Sequence, residues 1–163
     1  MPDQLVKLYE LPDQGTLTSD LRAGGIEIRR ALAPEKHQVL TWVREHFNQR
    51  WADECDVAIA RLPVTCHIAV DGDKLIGFSC YDATNKGFFG PTGVDETYRG
   101  KGIGKALLFA TLEAMRAEGY AYAVIGAAGP VDFYARTVGA TEIPGSSPGI
   151  YRGLLPITPP PTA

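Results

Sequence analysis

"GPTGVDETYRGKGIGKALLFATLEAM" spans residues 90–115. Its centre, RGKGIGKALL, sets Gly100, Gly102 and Gly104 at alternate positions directly ahead of a run with helical periodicity, flanked by Arg99, Lys101 and Lys105. Glycine has no Cβ, so a ligand can approach the main chain closely there. The first N–H groups of a helix lack intrahelical acceptors, and the helix dipole favours an anion beside them. Residues 99–105 are therefore a candidate anion cradle, against the plainer reading of a glycine-rich turn before a helix. Two nucleotide motifs fail by counting. A P-loop needs a glycine five residues before its Gly-Lys pair and a hydroxyl after it, where this chain has Arg99 and Ala106. A dinucleotide fingerprint starting at Gly100 needs its third glycine where Lys105 stands.

Outward from this stretch the pattern alternates between strand and helix. From Ile103 to about Glu118, Leu107, Leu108, Leu112 and Met115 form an apolar stripe that Gly119 closes. Upstream, TCHIAV and KLIGFSCYDA are β-rich runs joined by an Asp-Gly turn signal. GFFGPTGV reads as the next strand, in which Pro91 cannot donate to a ladder and so marks a bulge or a break. IEIRRAL reads as the first strand, followed by a helix over PEKHQVLTWVREHF and a shorter one over about 50–60. Downstream come a strand in YAYAVIGA, buried on both faces, a short helix in PVDFYARTVGA and a last strand in IYRGLL. Residues 1–25 read as a polar N-terminal extension with one short helix over TSDLRA, and residues 156–163 as a proline-rich tail.

Composition narrows the class. The chain has 163 residues, 45% hydrophobic and 21% charged, which suits one globular domain with a full core. A net charge of -3 lacks the basic footprint of a general nucleic-acid binder, so no nucleic-acid partner is expected. No run approaches the length of a membrane helix and no secretory pattern opens the chain, so a cytoplasmic protein without a membrane partner is expected. Cys55, Cys66 and Cys80 show no CxxC spacing, which indicates neither a metal site nor a disulfide framework; packing as small apolar groups is the expectation.

The segment RGKGIG matches the Arg/Gln-x-x-Gly-x-Gly/Ala pattern of GNAT-superfamily N-acetyltransferases, and the chain resembles that family from about Ile26 to Leu155. GPTGVDETY is similar to the family's preceding strand, IGKALLFATLEAM to its following helix and VDFYARTVGA to its late helix. The resemblance implies an α/β fold of the α+β type: a mixed, mostly antiparallel twisted sheet, splayed at its centre, with helices on both faces, over residues 26–155. It implies acetyl-CoA as co-substrate, its pyrophosphate on Arg99, Gly100, Lys101, Gly102, Ile103, Gly104 and Lys105. Its pantetheine would then lie along the strand ending near Val94, with backbone groups of Gly93 and Val94 as candidates to polarise the thioester carbonyl.

The resemblance also implies Tyr134 as the proton donor to the departing thiolate, a position where a half-buried structural aromatic is the plainer reading. An acceptor amine must lose a proton, so a carboxylate or histidine should stand near it. WADECDVAIA offers Glu54 and Asp56 beside Trp51, either a wall of the acceptor pocket, as in the family, or a solvated acidic face. Asp82 at a strand end is a further catalytic candidate or an Asx-turn residue. His67 reads as a core histidine, and Glu96 as a loop cap. The expected acceptor is a small cationic amine such as an amino sugar or polyamine, attacked directly. Protein lysine or N-terminal acetylation and a non-catalytic acyl-CoA-binding domain are the alternatives. An apolar edge strand in GIYRGLL suggests a possible homodimer.

Overall fold

The computed structural model describes residues 1–157. Seven strands form one sheet: β1 (Gln4–Lys7), β2 (Ile26–Arg30), β3 (Cys66–Asp71), β4 (Lys74–Tyr81), β5 (Phe88–Val94), β6 (Tyr122–Ile125) and β7 (Thr141–Glu142). Their spatial order is β2-β3-β4-β5-β6-β1-β7, and every neighbouring pair is antiparallel except β5–β6. Five α-helices complete the fold: α1 (Leu17–Ala23), α2 (Lys36–His46), α3 (Gln49–Ile59), α4 (Ile103–Ala117) and α5 (Val131–Val138).

Alternation along β3 and β4 divides the core between the two faces of the sheet. Ile68, Phe78, Cys66 and Cys80 pack with Val39, Val43, Cys55 and Ile59 of α2 and α3. On the opposite face Ala69 and Ile76 meet Ile103, Ala106 and Leu107 of α4. The register slips between Ala69 and Val70, and this bulge at Ile76 lets Ile76 and Phe78, two positions apart, serve different faces. Gly77 is needed beneath α4, since a Cβ there would come 3.0 Å from Leu107 Cδ1 and 3.2 Å from the Gly93 carbonyl.

The reading of the two chain ends needs correction. Residues 1–25 do more than extend the chain: Gln4–Lys7 inserts between β6 and β7, with Val6 and Leu8 fully buried. Four residues are too few to show a period against a polar flank, which hid this strand. IYRGLL is no strand. Gly149–Tyr151 forms a 3₁₀ turn, and Gly149 and Gly153 have φ of 58° and 73°, which interrupts extended chain. The true edge is the two-residue β7, so a homodimer built on a GIYRGLL edge strand loses its basis. In β6 only Ala123 and Ile125 are fully enclosed, while Tyr122 is exposed. The proline-rich tail lies outside the described residues from position 158 onward.

Candidate active site

The site begins where the sheet comes apart. β5 and β6 pair through Phe88↔Val124 and Phe89↔Ile125, and beyond that point no strand among the described residues pairs with the β6 side of β5. The β4–β5 register also slips, between Ser79 and Tyr81, opposite Gly90-Pro91. Sequence placed the break at Pro91 for the same reason: proline has no N–H to continue the ladder.

Which backbone groups face the gap follows from alternation. The Asp95 N–H donates to the Ile76 carbonyl at 2.8 Å, and Gly77 lies opposite Val94. Successive residues of a strand point their N–H and C=O groups to opposite sides. Asp95 and Gly93 therefore address β4, while Val94 presents its main chain to the gap. Gly93 matters for a different reason, because a Cβ there would fall 2.3 Å from Phe47 Cζ.

Beyond Val94 the chain makes a 3₁₀ turn, Glu96–Tyr98, capped by the Asp95 side chain on Thr97 N–H at 2.9 Å. That cap is Asp95 rather than Glu96. The glycine loop follows, and Gly100 and Gly102 take φ of 82° and 83°, left-handed conformations that favour glycine. Gly102 is the N-cap of α4, and the first helical bond is Ala106 N–H to Gly102 carbonyl at 3.0 Å. Among the described residues the backbone N–H groups from Gly100 to Lys105 have no acceptor. Arg99, Lys101 and Lys105 are exposed and join no ion pair there; Lys101 Nζ rests 4.9 Å from the Tyr98 ring centroid. Unpaired N–H groups, a fifteen-residue helix dipole and three cations outside any ion pair among the described residues suit a pyrophosphate, although Arg99 Nε also donates to the Val94 carbonyl at 3.4 Å.

A cavity of about 960 Å³ leads from this loop through the gap. Gly104, Val94 and Leu108 line it, and so do Tyr134, Trp51, Glu54, Thr84, Tyr151 and Leu154. Tyr134 is 5% exposed, T-shaped against Phe89 with centroids 6.1 Å apart, and burial pushes its phenol up to about 12. Its hydroxyl has no protein partner among the described residues. Glu54 accepts a short hydrogen bond from Thr84 Oγ1, and burial raises its carboxyl above the usual range. Trp51 stacks in a tilted contact with Phe47, centroids 5.0 Å apart, which fixes that wall to α2.

Two acidic candidates lie elsewhere. Asp56 is half exposed on another face of α3 and pairs with Lys36 Nζ at 2.5 Å. Asp82 is outside the cavity lining; at φ 53° its carboxylate accepts from Gly87 N–H at 2.7 Å and Tyr120 hydroxyl at 2.8 Å, so it serves as a turn residue. His67 contacts Thr111 Oγ1 at 3.3 Å beneath α4, and burial pushes its imidazole down to about 4. Three residues escaped the sequence reading. Thr84 carries only the signal of a polar loop residue. Tyr151 was assigned to a strand, and Arg50 sits one turn before Glu54 among ordinary helix polars. The cysteines also converge unexpectedly: α3, β3 and β4 bring their three sulfurs within 4.8 Å of one another, all fully buried. They supply one ligand fewer than a closed tetrahedral zinc site, and burial keeps Cys80 in its thiol form.

Residues 32–140 match the model of the acetyltransferase (GNAT) family, and the chain belongs to that family of acyltransferases. Its fold is similar to a GCN5-related glucosamine N-acetyltransferase region in a fungal multi-domain GH3 β-N-acetylglucosaminidase. That match has a TM-score of 0.71 at 14% identity over 87% of this chain and 19% of the other. A GCN5-related N-acetyltransferase from Sphaerobacter thermophilus gives 0.65 at 21% identity, over 87% of this chain and 48% of the other. A GNAT acetyltransferase from Brucella melitensis, solved with acetyl-CoA, gives 0.55 at 20% identity, over 68% and 80%. Likeness at these identities establishes the fold, and the chain spans less than half of the first two structures. No curated protein matches the sequence. No helix among the described residues is long and apolar enough to cross a membrane.

Proposed function

We propose that this protein moves the acetyl group of acetyl-CoA to the primary amine of a small molecule by direct attack. One observation carries the reading: the free N–H of Val94 and the unpaired N–H groups of Gly100–Lys105 adjoin one cavity that is also lined by Tyr134 and Glu54, while the Val94 carbonyl accepts from Arg99 Nε at 3.4 Å. The loop suits the pyrophosphate, and the open edge of β5 suits an extended amide chain such as pantetheine laid along it. The solved Brucella melitensis relative carries acetyl-CoA, which agrees with this use of the fold.

The chemistry then divides among named groups. The amine nitrogen forms a bond to the thioester carbonyl carbon, and the oxygen of the tetrahedral intermediate takes a hydrogen bond from the Val94 N–H. The C–S bond breaks with its electron pair on sulfur, and Tyr134 gives its proton to that sulfur. Glu54 takes the proton that the amine sheds, directly or through one water, and a carboxyl raised by burial is better matched to that task than an ordinary one. Solvent resets both groups. Ile150, Tyr151, Leu154 and Leu155 of the C-terminal segment line the cavity, which favours a compact acceptor over a protein side chain.

The test is thiol release from acetyl-CoA in the presence of a panel of small amines. Amine-dependent release that is reduced in Tyr134→Phe supports the reading. Binding of acetyl-CoA without release by any amine would make the protein an acyl-CoA-binding module instead.

A further inference from the structure

The α3 wall of the cavity carries an unusual pairing of charges. Arg50 and Glu54 are four positions apart on α3, both line the cavity, and they form no ion pair with each other. Residues at this spacing are neighbours on a helix face and attract when opposite in charge. Here each charged end is held apart by something else. Thr84 Oγ1 donates to Glu54, and Arg50 Nη2 donates to the Leu155 carbonyl at 2.5 Å. Arginine offers five N–H donors in a fixed fork, so that one bond leaves most of the fork free. The third charge on this wall, Asp53, is exposed and accepts from Gln49 Nε2 at 2.8 Å.

The surroundings of this pair are apolar. Trp51, Phe133, Tyr151 and Leu154 line the same cavity, with the exposed Ile150 and Leu155 at its surface. A polycation such as a polyamine would need several carboxylates, with no cation among them. The wall does hold two carboxylates, Asp53 and Glu54, but the guanidinium of Arg50 stands within a helical turn of both and repels a polycation, beside a surface of aromatic and aliphatic side chains. An α-amino acid with an apolar side chain matches each part. Its ammonium meets Glu54, its carboxylate meets the open fork of Arg50, and its side chain lies against Trp51 and Leu154.

Resting on the acetyl-transfer reading, we infer that the acceptor is a zwitterionic α-amino acid with an apolar or aromatic side chain, selected by Arg50 at the carboxylate and Glu54 at the amine. This replaces the small cationic amine, an amino sugar or polyamine, that the acidic run in WADECDVAIA suggests in sequence. Arg50 is a specificity residue in this account, and Glu54 both binds and deprotonates. The tie between Arg50 and Leu155 also links the acceptor's carboxylate to the C-terminal segment that walls the site.

The experiment measures acetyl-CoA-dependent N-acetylation of L-phenylalanine, L-phenylalaninamide, phenethylamine, spermidine and glucosamine, with acetyl-CoA binding followed by calorimetry. L-phenylalanine should exceed its amide and phenethylamine by about tenfold in kcat/KM, the modest figure suited to a charge pair at an exposed rim. In Arg50→Gln that ratio should fall towards one, mainly through KM for L-phenylalanine, and Arg50→Lys should recover part of it. Arg50 is exposed, and a melting curve checks that each variant folds. Equal use of L-phenylalanine and phenethylamine, or a preference for spermidine or glucosamine, overturns the zwitterion assignment while acetyl transfer stands. An enzyme that binds acetyl-CoA and acetylates none of the five overturns this assignment. Failure to bind acetyl-CoA overturns the parent reading with it.

Discussion

The ring of Phe47 lies directly on the main chain of Gly93: a Cβ on Gly93 would fall 2.3 Å from Cζ and 2.8 Å from both flanking carbons. Phe47 follows α2, Gly93 belongs to the splayed strand β5, and the same ring touches Trp51 and Phe78. The acceptor wall is thereby seated on the strand that offers Val94 to the gap. Gly93→Ala should cost about 1–3 kcal/mol, the range for overpacking. Denaturant melts read the loss, and an unchanged midpoint would mean that Phe47 moves aside freely.

The glycine loop is best probed at Gly104. A Cβ there meets only Val94 Cγ2 at 3.7 Å, and its backbone is ordinary helix. Gly102 is a poorer probe, since φ 83° and Leu17 Cδ1 at 2.9 Å would strain any side chain. Gly104→Asp should weaken acetyl-CoA by at least about tenfold, because its carboxylate stands where an anion must sit. Calorimetry with a normal melting curve checks this, and unchanged affinity in a folded variant removes the loop from the site.

Tyr134→Phe should leave acetyl-CoA affinity nearly intact while turnover falls by roughly 10²-fold, the low end for losing general-acid help. Burial holds this phenol near 12, so it stays protonated well above neutral pH. The deficit of the variant should therefore be constant between about pH 6 and 9. A deficit that shrinks within that range would assign the proton to another group.

Glu54 links activity to stability. Burial holds its folded carboxyl above the usual carboxylate range, so between the ordinary value and the folded one the native state holds more protons than the unfolded chain. Stability accordingly falls as pH rises through that window. Glu54→Gln should abolish the fall, gain stability at neutral pH and lose amine transfer, with the acidic limb of kcat/KM removed. A variant less stable than the parent at neutral pH would contradict the burial argument.

Sequence disclosed the parts of the fold that local chemistry dictates. The glycine loop, the α4 stripe, the break at Pro91 and the helix ending at Gly139 each depend on residues next to one another. The acceptor wall was less legible. Glu54 and Asp56 are both acidic positions of α3, yet only Glu54 reaches the cavity, because two positions along a helix turn Asp56 to a different face, where it meets Lys36. Asp82 looked chemical at a strand end, and its fate depends on Tyr120, thirty-eight positions further on. Tyr151 and Arg50 gain meaning only when the C-terminal segment crosses the cavity. Contacts made across such separations leave no period in the chain.

The most direct test of the central claim is an amide NMR titration of the protein with acetyl-CoA. The account predicts saturable shifts centred on Val94 and on Gly100 to Lys105, where free N–H groups gain acceptors, with Asp82 and Asp56 unmoved. Saturable shifts confined to other residues, with the loop amides and Val94 unchanged, would contradict it.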